Sequence, residues 1–242
     1  KDKDFDSTVG LALHEGSHIK LTDFEVLPNL YSHVPQELKQ MVKNKFSDTE
    51  DWAVCNYIES KLKMLLNIVE DRRIDNYIFK SAPGYKGYYN ALYDRYFHSK
   101  SIDKGLKSGE YRELDWDSYM FRICNITNAN RDLKALPGLI DIWNVLDLRN
   151  ISRLKTTKDA LQVALDIFEI VENNRSNVCG QPTNQGGNCN KEGDEGDEGG
   201  EETNGSCGGG NNMTNEGEGG ECKTPEGDSN DDGSTADGDE AN

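Results

Sequence analysis

A mainly α domain with about five to seven helices is the fold this sequence predicts, on three observations. Apolar residues recur at spacings of three and four through most of the first 172 positions, alternating strand patterns are nearly missing, and no unit of 20 to 50 residues repeats. Asp6, Ser7 and Thr8 offer N-cap oxygens to a first helix running through Val9, Leu11, Ala12 and Leu13 to about Lys20. Residues 21–31 read as a loop or one short extended piece. Pro35 is suited to the first turn of a short helix through Leu38, Met41 and Val42.

The longest periodic element follows, from about Glu50 to Phe79, with Cys55, Ile58, Leu62, Leu65 and Val69 as its apolar stripe. Pro83, Gly84 and Gly87 end it. Tyr89, Leu92, Tyr93 and Tyr96 return to helical spacing, and Met120, Ile123 and Cys124 share one face of a helix over 116–127. Pro137 opens another through Ile140, Trp143 and Leu146. The last helix starts after Thr156, with Asp159 three residues on in a box-like cap and Leu161, Ala164, Leu165, Phe168 and Val171 as its buried stripe.

Charge divides the chain into two parts. Of its 242 residues, 44 are Asp or Glu and 27 Lys or Arg, a net charge of −17. Residues 173–242 hold 17 of those acids against three bases, and 17 of the 24 glycines, without a single aromatic, Leu or Ile. Such a segment lacks the apolar surface to offset the entropy of ordering, so it reads as a disordered acidic tail or linker. Residues 1–172 have the size of one domain with its own core. The chain enters a helical pattern directly at Lys1, without a Met, and reads as a piece of something longer.

The same arithmetic argues against several partners. An acidic chain is repelled by phosphate backbones and anionic lipids, so nucleic acid is not expected, and no apolar run approaches the roughly 18 to 20 residues that span a bilayer. Cys55 and Cys124 fall in helical patterns as small buried thiols, while Cys179, Cys189, Cys207 and Cys222 are scattered through the tail with neither a CxxC pair nor zinc-ribbon spacing. A reducing, cytoplasmic setting follows from that usage.

One motif carries chemistry. His14-Glu15-Gly16-Ser17-His18 is an HExxH sequence in the middle of the first helix. Residues i and i+4 project from one helix face, so both imidazoles can point at one cation while Glu15 leans beside it. Two His nitrogens leave a Zn2+ site short of a third protein ligand, with a further position open for water. Two surface histidines beside a solvated Glu would share the spelling, but the helical placement and a nearby carboxylate argue for a metal.

That carboxylate is expected in the burst Glu70-Asp71-Arg72-Arg73, which interrupts the apolar stripe of the long helix. On a wheel centred on Val69, Glu70 lies about 100° from the core direction and Asp71 points almost directly away. Glu70 is therefore the first choice for the third ligand. Asp71 or Asp75 stays open, as a ligand or as the acceptor that fixes a histidine tautomer. His98 follows a tyrosine-rich stretch and could serve an oxyanion, though nothing ties it or His33 to the metal, and surface or packed positions suit them better.

Gly10-Leu11-Ala12-Leu13-His14-Glu15-Gly16-Ser17-His18, then Thr22-Asp23-Phe24, then Leu65-Leu66-Asn67-Ile68-Val69-Glu70-Asp71-Arg72-Arg73-Ile74-Asp75, resembles the zincin-type, gluzincin-like metallopeptidase domain of phage and bacterial proteins. Those proteins commonly continue into an acidic linker and a von Willebrand factor A domain. In layout they are similar to the cobaltochelatase large subunit and to activators that work with MoxR-type AAA+ ATPases. The resemblance covers roughly residues 7–80. It implies a zincin-like helical domain in which the HExxH helix packs on a long ligand-bearing helix, with His14, His18 and Glu70 as zinc ligands and Glu15 as catalytic base. It also implies a peptide or protein substrate, a AAA+ ATPase as partner, and the host cytoplasm as location for a phage-encoded copy. A rival expectation is the same domain acting as a non-catalytic metal-binding scaffold or adaptor beside such an ATPase.

Overall fold

A computed structural model describes residues 3–46 and 49–175. Among them every regular element is helical, with eight α-helices and three 3-10 helices. These are α1 (Lys3–Leu21), α2 (Gln36–Lys45), α3 (Asp51–Ser81), α4 (Lys86–Tyr96), α5 (Lys100–Lys107), α6 (Trp116–Cys124), α7 (Leu139–Leu146) and α8 (Thr157–Asn174). The count exceeds the expected range because α5 was not foreseen. It holds few apolar residues and depends on a local signal, the Ser99 side chain accepting from the Ile102 backbone N–H at its N-terminus.

The spine is α3, whose Ile58, Leu62, Leu65 and Val69 are fully buried in one cluster with Ala164, Ile167, Phe168 and Val171 of α8. Burial at these positions holds the domain together, and truncating such a residue to Ala costs about 2–5 kcal/mol. The expected cap of α8 is present in full: the Thr156 side chain accepts from Asp159 N–H, and the Asp159 carboxylate accepts from Thr156 N–H at 2.9 Å. α7 begins at Leu139, not at Pro137, because Gly138 turns the chain with φ of +80°. A Cβ at Gly138 would also lie 2.7 Å from Asn174 Nδ2. Residues 24–33 form a 3-10 helix capped by Asp23, where a loop or extended piece was expected.

α1 departs most from its sequence reading. It starts at Lys3, and the expected cap residues are inside it: Ser7 and Thr8 donate their hydroxyls to the Asp4 carbonyl at 3.0 and 2.8 Å. Its apolar residues are not its buried face, since Phe5 is 60% exposed and Ile19 80%. The buried row is instead Ser7, Gly10 and Ser17, with His14 half-buried between them. Small side chains let α1 press closely on α4: a Cβ on Gly10 would sit 2.3 Å from the Tyr88 carbonyl oxygen. Held there, α1 also touches α3, which places the HExxH row against the second half of the long helix.

The folded part runs slightly past residue 172. Asn173 and Asn174 complete α8, and Arg175 is buried, its Nε donating to Glu172 Oε1 at 2.8 Å. The acidic tail expected over 173–242, with its four cysteines, lies from residue 176 onward outside the described residues. Cys55 is buried, as its helical position suggested, while Cys124 is only half-buried. No helix among the described residues is long and apolar enough to cross a membrane.

Candidate metal centre

The i,i+4 geometry of α1 turns His14 and His18 to the same side, with ring centroids 4.9 Å apart and ring planes at 86°. Opposite them, α3 presents its own i,i+4 pair, Asp71 and Asp75. His18 Nε2 is 3.1 Å from Asp71 Oδ1, and His14 Nε2 is 3.6 Å from the same oxygen. One ligand atom from each of His14, His18 and Asp71 can be chosen so that all lie within 4.8 Å of one another. Two imidazoles and a carboxylate form a donor set suited to zinc, and a tetrahedral ion held by three protein ligands keeps one position open.

The far side of each ring is anchored too. His14 Nδ1 donates to Asp75 Oδ1 at 3.0 Å, and His18 Nδ1 is 3.0 Å from Thr22 Oγ1. A carboxylate that accepts at Nδ1 keeps the proton there and leaves Nε2 as the bare nitrogen that a metal requires. Asp75 in turn accepts at Oδ2 from the Tyr93 hydroxyl of α4. Burial pushes the Tyr93 phenol above its ordinary value and Asp75 adds to that, against the opposing charge of Arg72, so Tyr93 remains a donor.

The electrostatics favour a positive charge at this point. Burial alone would lower the His14 pKa, but hydrogen bonds to Asp71 and Asp75 and the charges of both raise it from 6.5 to about 10. Burial alone would raise Asp71, yet the hydrogen bonds from His14 and His18, with the charges of His14 and Arg72, bring it from 3.8 to about 2. A proton thus satisfies the demand that two carboxylates and two imidazoles create in a poorly hydrated gap.

The structure corrects the choice of Glu70. Its side chain is only 2% exposed and faces the core: Arg73 Nε donates to Oε2 at 2.8 Å, Arg73 Nη2 pairs with Oε1, and Thr157 Oγ1 donates to Oε1 at 2.9 Å. Arg73 Nη2 also donates to the Leu21 carbonyl at 2.6 Å, at the last residue of α1. Asp23 N–H donates to Thr157 Oγ1 at 2.8 Å, tying the segment that carries Thr22 to α8. Glu70 thus secures the end of the histidine helix from within the core.

The wheel located the core correctly but not the carboxylate that meets the histidines, because α8 and α1 lie against different faces of α3. The spacing of Asp71 and Asp75 was the usable signal: it is the one carboxylate pair in the burst that shares the i,i+4 row geometry of the histidines. Thr22 falls four residues after His18, a local spacing that could have pointed to it, whereas Tyr93 had no such signal, since it is placed by tertiary contact. Glu15 is exposed on the outward side of α1, and a Cβ on neighbouring Gly16 would meet nothing within 4 Å, so the space beside Glu15 is open. His98 is near Asp94, with its Nδ1 3.4 Å from the carboxylate, and His33 is exposed at the end of its 3-10 helix; neither joins the centre.

The chain matches no family model, no curated protein and no solved structure.

Proposed function

We propose that this domain is a zinc-dependent hydrolase of amide bonds in peptides or proteins, with His14, His18 and Asp71 holding the ion and Glu15 as the base. The observation that carries the reading is the convergence of two Nε2 atoms and Asp71 Oδ1, with both Nδ1 atoms held from behind. When bound at such donors, a divalent cation acidifies water and polarises a carbonyl. His14 and His18 bind through Nε2, while Asp75 and Thr22 orient their rings. Glu15 is adjacent to His14 on the open side of α1, where its carboxylate accepts a proton from water and can return it to a departing amine. Asp71 supplies the negative charge that two neutral imidazoles lack.

The decisive experiment uses the full chain purified without added metal. Elemental analysis is expected to find one zinc per chain, lost in His14→Ala and Asp71→Ala and kept in Glu70→Gln. Glu15→Gln is then expected to keep the ion and to abolish cleavage of a peptide library that the wild type cuts. Zinc-free wild type, or retention of zinc by Asp71→Ala, would overturn the ligand set.

A second reading has its own observation. Two clefts, of about 360 and 450 Å³, gather around His98, and neither is lined by His14, Glu15 or His18. Clefts placed around His98, away from both imidazoles, suit a metal-bound scaffold or adaptor, and the resemblance in sequence supplies a MoxR-type AAA+ ATPase as its partner. Full zinc occupancy with no cleavage of any peptide, and no change on Glu15→Gln, would favour that reading.

A further inference from the structure

Asp75 is engaged through both oxygens, and the second engagement leads away from the metal centre. Oδ1 accepts from His14 Nδ1, and Oδ2 accepts from the Tyr93 hydroxyl. The Tyr93 oxygen itself accepts from Arg72 Nη1, and Arg72 Nη2 donates to the Cys124 carbonyl at 3.2 Å. Arg72 is buried, with its guanidinium 5.3 Å from the Tyr93 ring centre and 5.4 Å from that of Phe97.

The polarity of this row is forced by the chemistry of its members. Arginine can only donate, and an ionised carboxylate can only accept. Tyr93 has one proton, so a hydroxyl that accepts from Arg72 must direct that proton at Asp75. Tyr93 holds Asp75 at Oδ2, which leaves Oδ1 facing His14 Nδ1. The tautomer that leaves His14 Nε2 bare is in this way set by a residue on α4 that touches neither histidine nor ion.

We propose that Tyr93 is a positioning residue of the metal centre, holding Asp75 so that His14 binds through Nε2, and that Arg72 sets the direction of the Tyr93 hydroxyl. This rests on the ligand set proposed above. Phe97 provides the control, because it shares the packing, with its ring 5.2 Å from that of Tyr93, but lacks the hydroxyl.

The test is the zinc dissociation constant of the full chain, measured by competition with a chromophoric chelator, together with the visible spectrum of the Co2+ form. Tyr93→Phe is expected to weaken zinc binding roughly tenfold, at the lower end for outer-shell partners, and to shift the Co2+ bands. Phe97→Leu is expected to lower the thermal midpoint while leaving affinity within about twofold and the Co2+ bands in place. Unchanged affinity and spectrum in Tyr93→Phe would overturn the proposal, as would an equal loss in Phe97→Leu. A wild type that takes up no zinc would overturn the ligand set itself, so the two failures are distinguishable. Should Tyr93→Phe not fold, imidazole nitrogen shifts of zinc-loaded wild type decide: a proton on His14 Nδ1 supports the proposal, and one on Nε2 overturns it.

Discussion

Glu70 and Asp71 are neighbours on α3, yet they occupy opposite electrostatic worlds. Glu70 faces the core and has a cation of its own, Arg73, bonded to both its oxygens, with Thr157 donating to Oε1 as well. Asp71 faces α1, and its ion-pair partners are two imidazoles. The first carboxylate is neutralised by the protein; the second is neutralised only when a proton or another cation arrives. Burial alone therefore does not mark a ligand. Asp71 is instead a half-buried carboxylate whose basic neighbours can give up their protons, since guanidinium cannot and imidazole can.

Substitutions can break this contrast, and the largest effect is expected at Asp71. Asp71→Ala should lose stoichiometric zinc outright in elemental analysis, with a smaller loss in the urea midpoint measured without metal than Glu70→Ala shows. Glu70→Ala should do the reverse, costing about 3–5 kcal/mol in urea unfolding because Arg73 is left buried and unpaired. If Glu70→Ala removed the metal without loss of stability, the division of labour between the two carboxylates would be wrong. Asp75→Asn sharpens the same comparison one layer out: zinc affinity should fall about 10–100-fold by chelator competition, because an amide can present its NH2 to His14 Nδ1.

The smallest expected effect is at the start of α8, which supports Thr157 and so the Glu70 side of the contrast. Thr156→Ala should cost about 1 kcal/mol by urea unfolding. Hydrogen bonds from the backbone of Thr156, then of Lys155, hold the Asp159 carboxyl below its ordinary value of 3.8. A depressed carboxyl stabilises the fold above its unfolded pKa, and this contribution disappears as pH falls through the lowered folded value. The difference in urea midpoint between wild type and Asp159→Asn should accordingly be full above about pH 5 and shrink on acidification toward pH 2.

Much of this was legible in the sequence. Periodicity gave α3 nearly to its ends, and the Thr156 and Asp159 pair gave the start of α8, because each depends on residues within a few positions of one another. The HExxH row was legible for the same reason. What stayed hidden depended on which element packs on which face. A helical wheel has one core direction, but α3 packs against several elements, and Asp71 faces α1, away from the α8 side. α1 misled in the same way: Leu11 and Ala12 support a helix, yet the face that packs is made of Ser7, Gly10 and Ser17.

Gly10 is one turn before His14, at the tightest point between α1 and the Tyr88 backbone. Any added carbon there would act as a wedge on the hinge of a jaw, opening the gap between the imidazoles and Asp71 without altering a single donor atom. The separation of the imidazoles from Asp71 is thus governed partly by a residue that has no side chain, one helical turn away from the nearer ring.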